Sequence, residues 1–208
     1  LEKSAEIAEE SMTKVLLNLK IGTSEYEIGR EYIAEIAKHG AEPFFNVVTV
    51  DERTPLSDTI NTDKKISEGS IIRVDFGCIY RGYRSDLART AVVGKSTSKL
   101  EEYYSAILKG EEEAIAHVKP GVAAEDIFNI AVDVTRKAGI PHYERHHCGH
   151  GIGLEVYDPP TIAPGVDVLL EPGMVLCIET PYYELGWAGI QVEDTIAVTK
   201  DGYRFLSK

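Results

Sequence analysis

Basic residues are scarce in this chain: 22 Lys and Arg stand against 34 Asp and Glu over 208 residues, a net charge of -12. That shortage excludes a nucleic-acid-binding surface, which needs a basic patch. Cysteine is sparser still. Cys78, Cys148 and Cys177 have no paired spacing, so they build no disulfide framework and read as small buried hydrophobes in a reducing, cytoplasmic setting. No apolar run approaches the ~18 residues of a membrane span. No signal peptide opens the chain, and no low-complexity tract or charge block divides it. What is present is ordinary globular material, 43% hydrophobic and 27% charged, enough for one domain over residues 1–208.

Apolar periodicity predicts helices over 4–19, 24–39, 100–117 and 123–138, the second stopped by Gly40 and the last by Gly139. Strands are expected at 44–50, 144–148, 174–180 and 189–198. Residues 71–77 and 83–93 read as a hairpin turned near Arg81-Gly82. Lys20-Ile21-Gly22 matches Lys119-Pro120-Gly121 at an offset of 99, and Ile28/Ile127 and Gly40/Gly139 repeat that offset. A duplicated unit explains the echo; shared helix-stop chemistry is the plainer alternative. Duplication implies an α+β fold, with one antiparallel-rich sheet, helices outside it, and a site between the halves.

Acidic residues sit in unexpected places. Asp75 lies in Val74-Asp75-Phe76-Gly77 and Asp86 in Ser85-Asp86-Leu87-Ala88-Arg89-Thr90. Glu179 lies in Ile178-Glu179-Thr180-Pro181, and Glu193 in Val192-Glu193-Asp194-Thr195. A charge in an apolar run is costly to bury unless it is paired or bound to metal. Asp75 and Asp86, eleven apart, can meet across the hairpin, and Glu179 and Glu193 flank a turn-rich segment in the same way. His150, between Gly149 and Gly151, completes a set suited to two divalent ions bridged by carboxylates. The rivals are a glycine-rich phosphate loop over 149–153, which lacks a following Lys-Ser/Thr pair, and a set of plain exposed acids. Cys148 is a weak ligand candidate, because oxygen-rich sites rarely recruit a single thiol. Alternation turns Asp194 to the opposite sheet face, and His147 likewise as a packing residue. His117 and His142 show no partner pattern, and Trp187 with Tyr182-Tyr183 suits either a pocket mouth or core packing.

In this order, the five motifs resemble the pita-bread metallopeptidases: methionine aminopeptidase, Xaa-Pro aminopeptidase, prolidase and their creatinase relatives. The resemblance spans nearly the whole chain and lies nearest the prolidase branch. It implies the pita-bread fold, with duplicated halves and a curved sheet. It implies that Asp75 holds one metal, that His150 and Glu179 hold the other, and that Asp86 and Glu193 bridge. Glu179 would also move the proton of a water, and His146, four before His150, would join it as a catalytic residue. The ions would be manganese or cobalt, with zinc or iron acceptable to the same donors. The expected substrate is a short peptide, of Xaa-Pro type, or a small amide, and the expected assembly a homodimer. Prolidase-like members carry an additional N-terminal domain, so a catalytic portion beginning at Leu1 is expected.

The chain departs from that pattern at the substrate residues. Active relatives carry a His where a gapless count places Asp58, and another seven residues after the metal His, where Tyr157 stands. The Arg often found two before the last metal Glu is Gln191. A His can donate to a developing oxyanion, whereas an ionised Asp58 only accepts. A cationic or amine-bearing substrate suits that exchange; a plain loop acid at 58 is the other reading. The competing functions are thus a two-metal peptidase, a creatinase-like hydrolase or lyase of a small nitrogenous metabolite, and a non-catalytic binding module.

Overall fold

The computed structural model describes residues 1–207. Helix α1 spans Glu2–Leu17 and α2 spans Glu25–Lys38. Helix α2 starts at a capping box, in which Ser24 accepts from the Glu27 amide and Glu27 reaches back to the Ser24 amide. Its buried Ile28, Tyr32 and Ile36 repeat every four residues and form one apolar stripe, with Tyr32 stacked on Phe76 at 4.1 Å. Helix α3 spans Ser98–Ala116, capped by Thr97, and α4 spans Ala124–Ala138, stopped by Gly139 at φ 146°. Each predicted helix is therefore present, within two residues at each end.

The strands are β1 (Glu42–Val50), β2 (Ile71–Tyr80), β3 (Tyr83–Arg84), β4 (Leu87–Val92), β5 (Gly149–Gly151) and β6 (Asp158–Thr161). They continue with β7 (Val175–Glu179), β8 (Tyr182–Tyr183), β9 (Gly189–Ile190), β10 (Glu193–Val198) and β11 (Tyr203–Phe205). An antiparallel sheet runs β1-β2-β4-β10-β7-β5-β6, with β3 beside β2 and β11 beside β10, while β8 and β9 pair separately. The turn into β3 falls at Arg81-Gly82, both at positive φ (52° and 85°), the geometry of a tight two-residue hairpin.

Alternation divides the sheet. Ile72, Val74, Phe76 and Cys78 on β2 join the apolar cluster with Ile7, Met12, Ile28 and Ile36 of α1 and α2. Leu176, Ile178, Ile196 and Val198 join a second cluster with Ile107, Ile115, Ile127 and Ala131 of α3 and α4. The intervening residues turn to the opposite, concave face. Each half thus has its own core, and β4 against β10 forms the seam.

The offset of 99 reappears in the backbone at one partner of each contact, with the other partners offset by a constant 104. Gly22 donates to Ile66 O and Gly121 to Leu170 O; Glu25 donates to Lys64 O and Ala124 to Val168 O. Isolated bridges join Ser24 to Lys65 and Ala123 to Leu169. Shared helix-stop chemistry cannot place both partners of each contact alike, so the echo reflects a repeated unit. The fold is α+β, and no helix among the described residues is long and apolar enough to cross a membrane.

Three strand expectations shift, the first being 83–93, which breaks at Ser85-Asp86 into β3 and β4. The strand expected at 144–148 is loop, and pairing begins at Gly149. The run 189–198 breaks at Gln191-Val192 into β9 and β10. Strand β6 was not foreseen because Pro159 and Pro160 discourage a strand; they are tolerated at the sheet edge, where a missing N–H breaks no ladder. Gly149 explains the late start of β5. It lies at φ 137°, and a Cβ there would stand 2.1 Å from the Cys177 carbonyl oxygen. Gly149→Ala is expected to lower the urea midpoint, with a loss of about 1–3 kcal/mol from backbone strain alone. A variant that unfolds at the parent's urea concentration would show that β5 does not depend on this close approach.

Candidate metal centre

Strand register assembles the acidic residues in rows. Asp75 pairs with Ala88, Ala88 with Glu193, and Glu193 with Glu179, which lays three carboxylates along one line across four strands. One step along the strands, Thr195 pairs with Cys177, and Cys177 with His150. The Thr195 hydroxyl donates to the Asp86 carbonyl at 2.8 Å, placing Asp86 in that second row. All these residues alternate onto the concave face. Of these, Asp75, Asp86, His150, Glu179 and Glu193 floor a cavity of about 550 Å³ whose walls include Asp58, Arg145, His146, His147, Tyr157 and Tyr183.

His150 donates from Nδ1 to the Gly151 carbonyl at 3.0 Å. Its Nε2 is left facing Asp86 Oδ2 at 3.6 Å and Glu193 Oε1 at 4.0 Å. Burial lowers its pKa, which favours the neutral imidazole that a metal needs. Burial pushes both the Asp86 and Glu193 carboxyls far up, followed by repulsion from Asp75 and Glu179 at Asp86 and from Asp86 and Glu179 at Glu193. Desolvation also lifts Glu179, and raises Asp75 to about 6 against the pull of the Arg73 guanidinium. Asp86 Oδ1 and Glu193 Oε1 are buried without any hydrogen-bond partner. Orphaned carboxyl oxygens beside a neutral imidazole fit a divalent cation: it would satisfy both oxygens and restore ionisation of the cluster.

Gln191, 2% exposed, is the hub between the acids and the wall. Its amide donates to Asp75 Oδ2 at 3.1 Å and lies 3.5 Å from oxygens of Glu179 and Glu193. Its oxygen accepts from Arg73 at 2.8 Å and from the Tyr183 hydroxyl at 3.3 Å. A Gln191 so occupied has little left to offer a substrate. Asp58 is exposed at the cavity wall, and its neighbour Ser57 is held by Arg73. The Tyr157 ring sits 4.4 Å from that of His150, and desolvation plus the four carboxylates push its phenol up to about 12. Tyr157 therefore remains a donor near neutrality.

Several contributors escape a reading by sequence pattern. Arg73 is wholly buried and donates to the carbonyls of Thr54, Leu56 and Ser57 as well as to Gln191. Its place two residues before Asp75 in the same strand was the available signal. Arg145 adds a second guanidinium, and both it and Arg73 lie over the Tyr183 ring, at 5.7 and 5.5 Å. His147 does not turn away, because its segment is loop rather than strand. Its Nδ1 lies 3.2 Å from Glu179 Oε1, and burial with Arg145 holds its pKa near 4. Asp194 does face the opposite side, but it is buried: Arg89 donates to it at 2.6 Å and also to the Glu193 carbonyl. Tyr183 lines the cavity, while Trp187 packs on Tyr103 and Tyr182. His142 bonds Tyr182 and His117 bonds the Glu113 carbonyl, both away from the acids. Cys148 lies in the apolar core beneath α3 and α4, but Cys177 lies on the concave face.

This curved sheet with outer helices is the pita-bread architecture. It matches the prolidase from Pyrococcus furiosus with a TM-score of 0.95 at 32% identity, over 100% of this chain and 62% of that one. It matches an X-Pro aminopeptidase from Thermotoga maritima with a TM-score of 0.94 at 29% identity, over 100% and 59%. In sequence it is 32% identical over 210 residues to an Xaa-Pro dipeptidase from Pyrococcus horikoshii, covering 100% of this chain and 60% of that protein. The pattern of metallopeptidase family M24 matches residues 1–200, and the chain belongs to that family. It spans about 60% of the length of the curated relatives it matches.

The raised Asp75 carboxyl sets a pH dependence. An acid whose folded pKa exceeds its unfolded value stabilises the native chain fully below the unfolded value and loses that contribution as pH rises through the folded one. For Asp75 the window runs from 3.8 to about 6. With a chelator present, the urea midpoint is expected to fall across that window, and Asp75→Asn is expected to flatten the slope. An equal slope in both proteins would assign the loss to other groups.

Proposed function

We propose that the chain is the catalytic part of a two-metal peptidase that cuts a dipeptide, or the first bond of a short peptide, with proline after the cut. The observation that carries this reading is the convergence of Asp75, Asp86, His150, Glu179 and Glu193 on one concave face, in a chain of metallopeptidase family M24. In this reading Asp75 would hold one ion, His150 and Glu179 would hold the other, and Asp86 and Glu193 would serve both. Manganese or cobalt is the expected metal, and zinc or iron suits the same donors. When bound, such a pair supplies Lewis-acid polarisation of a carbonyl and acidifies a water.

The protein's own groups do the rest. Glu179, with its carboxyl raised by burial, is placed to accept the water's proton and pass it to the leaving nitrogen. His146 lines the same cavity and stands ready to hydrogen-bond the substrate. Asp58 accepts from an amine, and Arg145 offers a guanidinium to a carboxylate; a dipeptide presents one of each. Tyr157 donates where active relatives carry a His. A homodimer in the cytoplasm is the working form in this reading, and three unpaired thiols suit a reducing compartment.

Asp58 and Tyr157 also favour a second reading, a metal-dependent hydrolase or lyase of a small cationic metabolite. A screen of the manganese- and cobalt-loaded chain separates the two. Xaa-Pro dipeptides should be hydrolysed, and chelation should stop the reaction. Turnover confined to non-peptide amides would sink the peptidase assignment.

Glu179→Gln should lower turnover by about 10²–10⁴-fold, because the amide cannot take a proton, while equilibrium dialysis still detects bound metal. A rate within a few-fold of the parent would remove Glu179 from proton transfer. Asp58→His should raise activity on Xaa-Pro dipeptides relative to other amides, by up to about 2–4 kcal/mol in transition-state stabilisation for a restored oxyanion donor. A slower Asp58→His enzyme, from a parent already efficient on Xaa-Pro, would mean that the Asp is tuned for peptides.

A further inference from the structure

The donors on the concave face include a sulfur. Cys177 precedes Glu179 by two residues on β7, so alternation turns both to the same side. Its register partners are His150 on β5 and Thr195 on β10. Cys177 Sγ, one ring nitrogen of His150 and one oxygen from each of Asp86 and Glu193 all lie within 4.8 Å of one another, and all four residues are buried. The carboxylates bring the orphaned oxygens Asp86 Oδ1 and Glu193 Oε1. The thiol itself is weakly engaged, 3.6 Å from Thr195 Oγ1 and 3.7 Å from the Asp86 carbonyl. That carbonyl already accepts from Thr195 at 2.8 Å, so it does not need the S–H.

The other two thiols are spent elsewhere. Cys78 is engaged with Ser4 and Ser85, and Cys148 packs in the apolar core. Only Cys177 adds a soft donor to the hard carboxylates. One sulfur, one imidazole nitrogen and two carboxylate oxygens make a four-donor set of the kind zinc takes, and thiolate shifts preference toward thiophilic ions.

We propose that Cys177 is a metal ligand, and that Asp86, His150, Cys177 and Glu193 together hold one thiophilic divalent ion of the zinc or cadmium class. The proposal rests on the concave face being a metal centre and adds to it a sulfur donor that biases one position away from manganese. On binding, the Cys177 S–H bond breaks, a sulfur–metal bond forms, and the proton leaves to solvent; nothing is oxidised or reduced.

Cadmium titration of the chelator-stripped chain tests it, with bound ion counted by equilibrium dialysis and the thiolate-to-cadmium charge-transfer band followed in the ultraviolet. The band should grow to one thiolate per cluster in the parent, in Cys78→Ser and in Cys148→Ser. It should vanish in Cys177→Ser and Cys177→Thr. Cadmium affinity should fall by about 10–100-fold, the cost of losing even an outer partner of a metal ligand, while manganese affinity changes by less than about threefold. Cadmium-113 NMR of the unsubstituted chain gives the same answer if the variants do not fold: a sulfur-shifted resonance supports the ligation, and one in the oxygen–nitrogen range overturns it. Cadmium bound with no charge-transfer band, or a band that survives Cys177→Ser, also overturns it and leaves an oxygen–nitrogen metal centre standing. Failure to bind cadmium, manganese or cobalt at all would overturn the metal-centre reading itself, and this proposal with it.

Discussion

Crowding carboxylates out of water is the most expensive feature of this molecule, and the surroundings of Asp75, Asp86, Glu179 and Glu193 are arranged to meet it. The protein's own compensation is incomplete. Gln191 turns its amide toward three of the acids, and Arg73 stands 3.6 Å from Asp75. Desolvation still raises all four carboxyls, and two buried oxygens keep no partner. A cation resolves what hydrogen bonds leave open. The crowding that makes this cluster a structural liability by itself is what suits it to a cation.

The repeated unit makes that arrangement geometrically easy. Each half folds two helices over its own apolar cluster and turns alternate strand residues to the common concave face. Asp75 and Glu179 occupy the middle strands of the two halves, β2 and β7. Asp86 and Glu193 sit next to the seam, where β4 meets β10. Asp75 and Asp86 come from one half and His150, Glu179 and Glu193 from the other, so the acidic cluster forms only when both halves pack. Behind it, Arg89 clamps the Glu193 carbonyl and the buried Asp194, whose neighbour Glu111 is lifted to about 9 by burial and by Asp194 itself. The convex side thus fixes the strand that carries a concave-side ligand candidate.

The wall of the cavity is tied to its floor through Arg73. Its guanidinium joins the 54–57 loop to Gln191, and Asp58 leaves that loop into the cavity. The cavity wall and the acidic floor therefore share one buried cation. A change at Asp58 is read next to Arg73, Arg145 and Tyr183 rather than alone.

By itself, the sequence determined the helices, the hairpin at Arg81-Gly82, the duplication and the four acids and one imidazole that meet. These are carried by local periodicity, by turn chemistry and by short motifs that keep their meaning at any distance. Alternation along β2 and β7 even sets which face Asp75 and Glu179 take. Only the tertiary structure decided what depends on register between distant strands: that Cys177 falls beside His150, that Arg73 reaches Gln191 across 118 residues of sequence, and that His147 approaches Glu179 from a loop. The late start of β5 belongs with these, because nothing local shows that a Cβ at Gly149 would stand 2.1 Å from the Cys177 carbonyl oxygen. A strand's own residues specify its faces, but its partners are chosen by packing of the whole sheet, and the chemistry of this site lies in the partners.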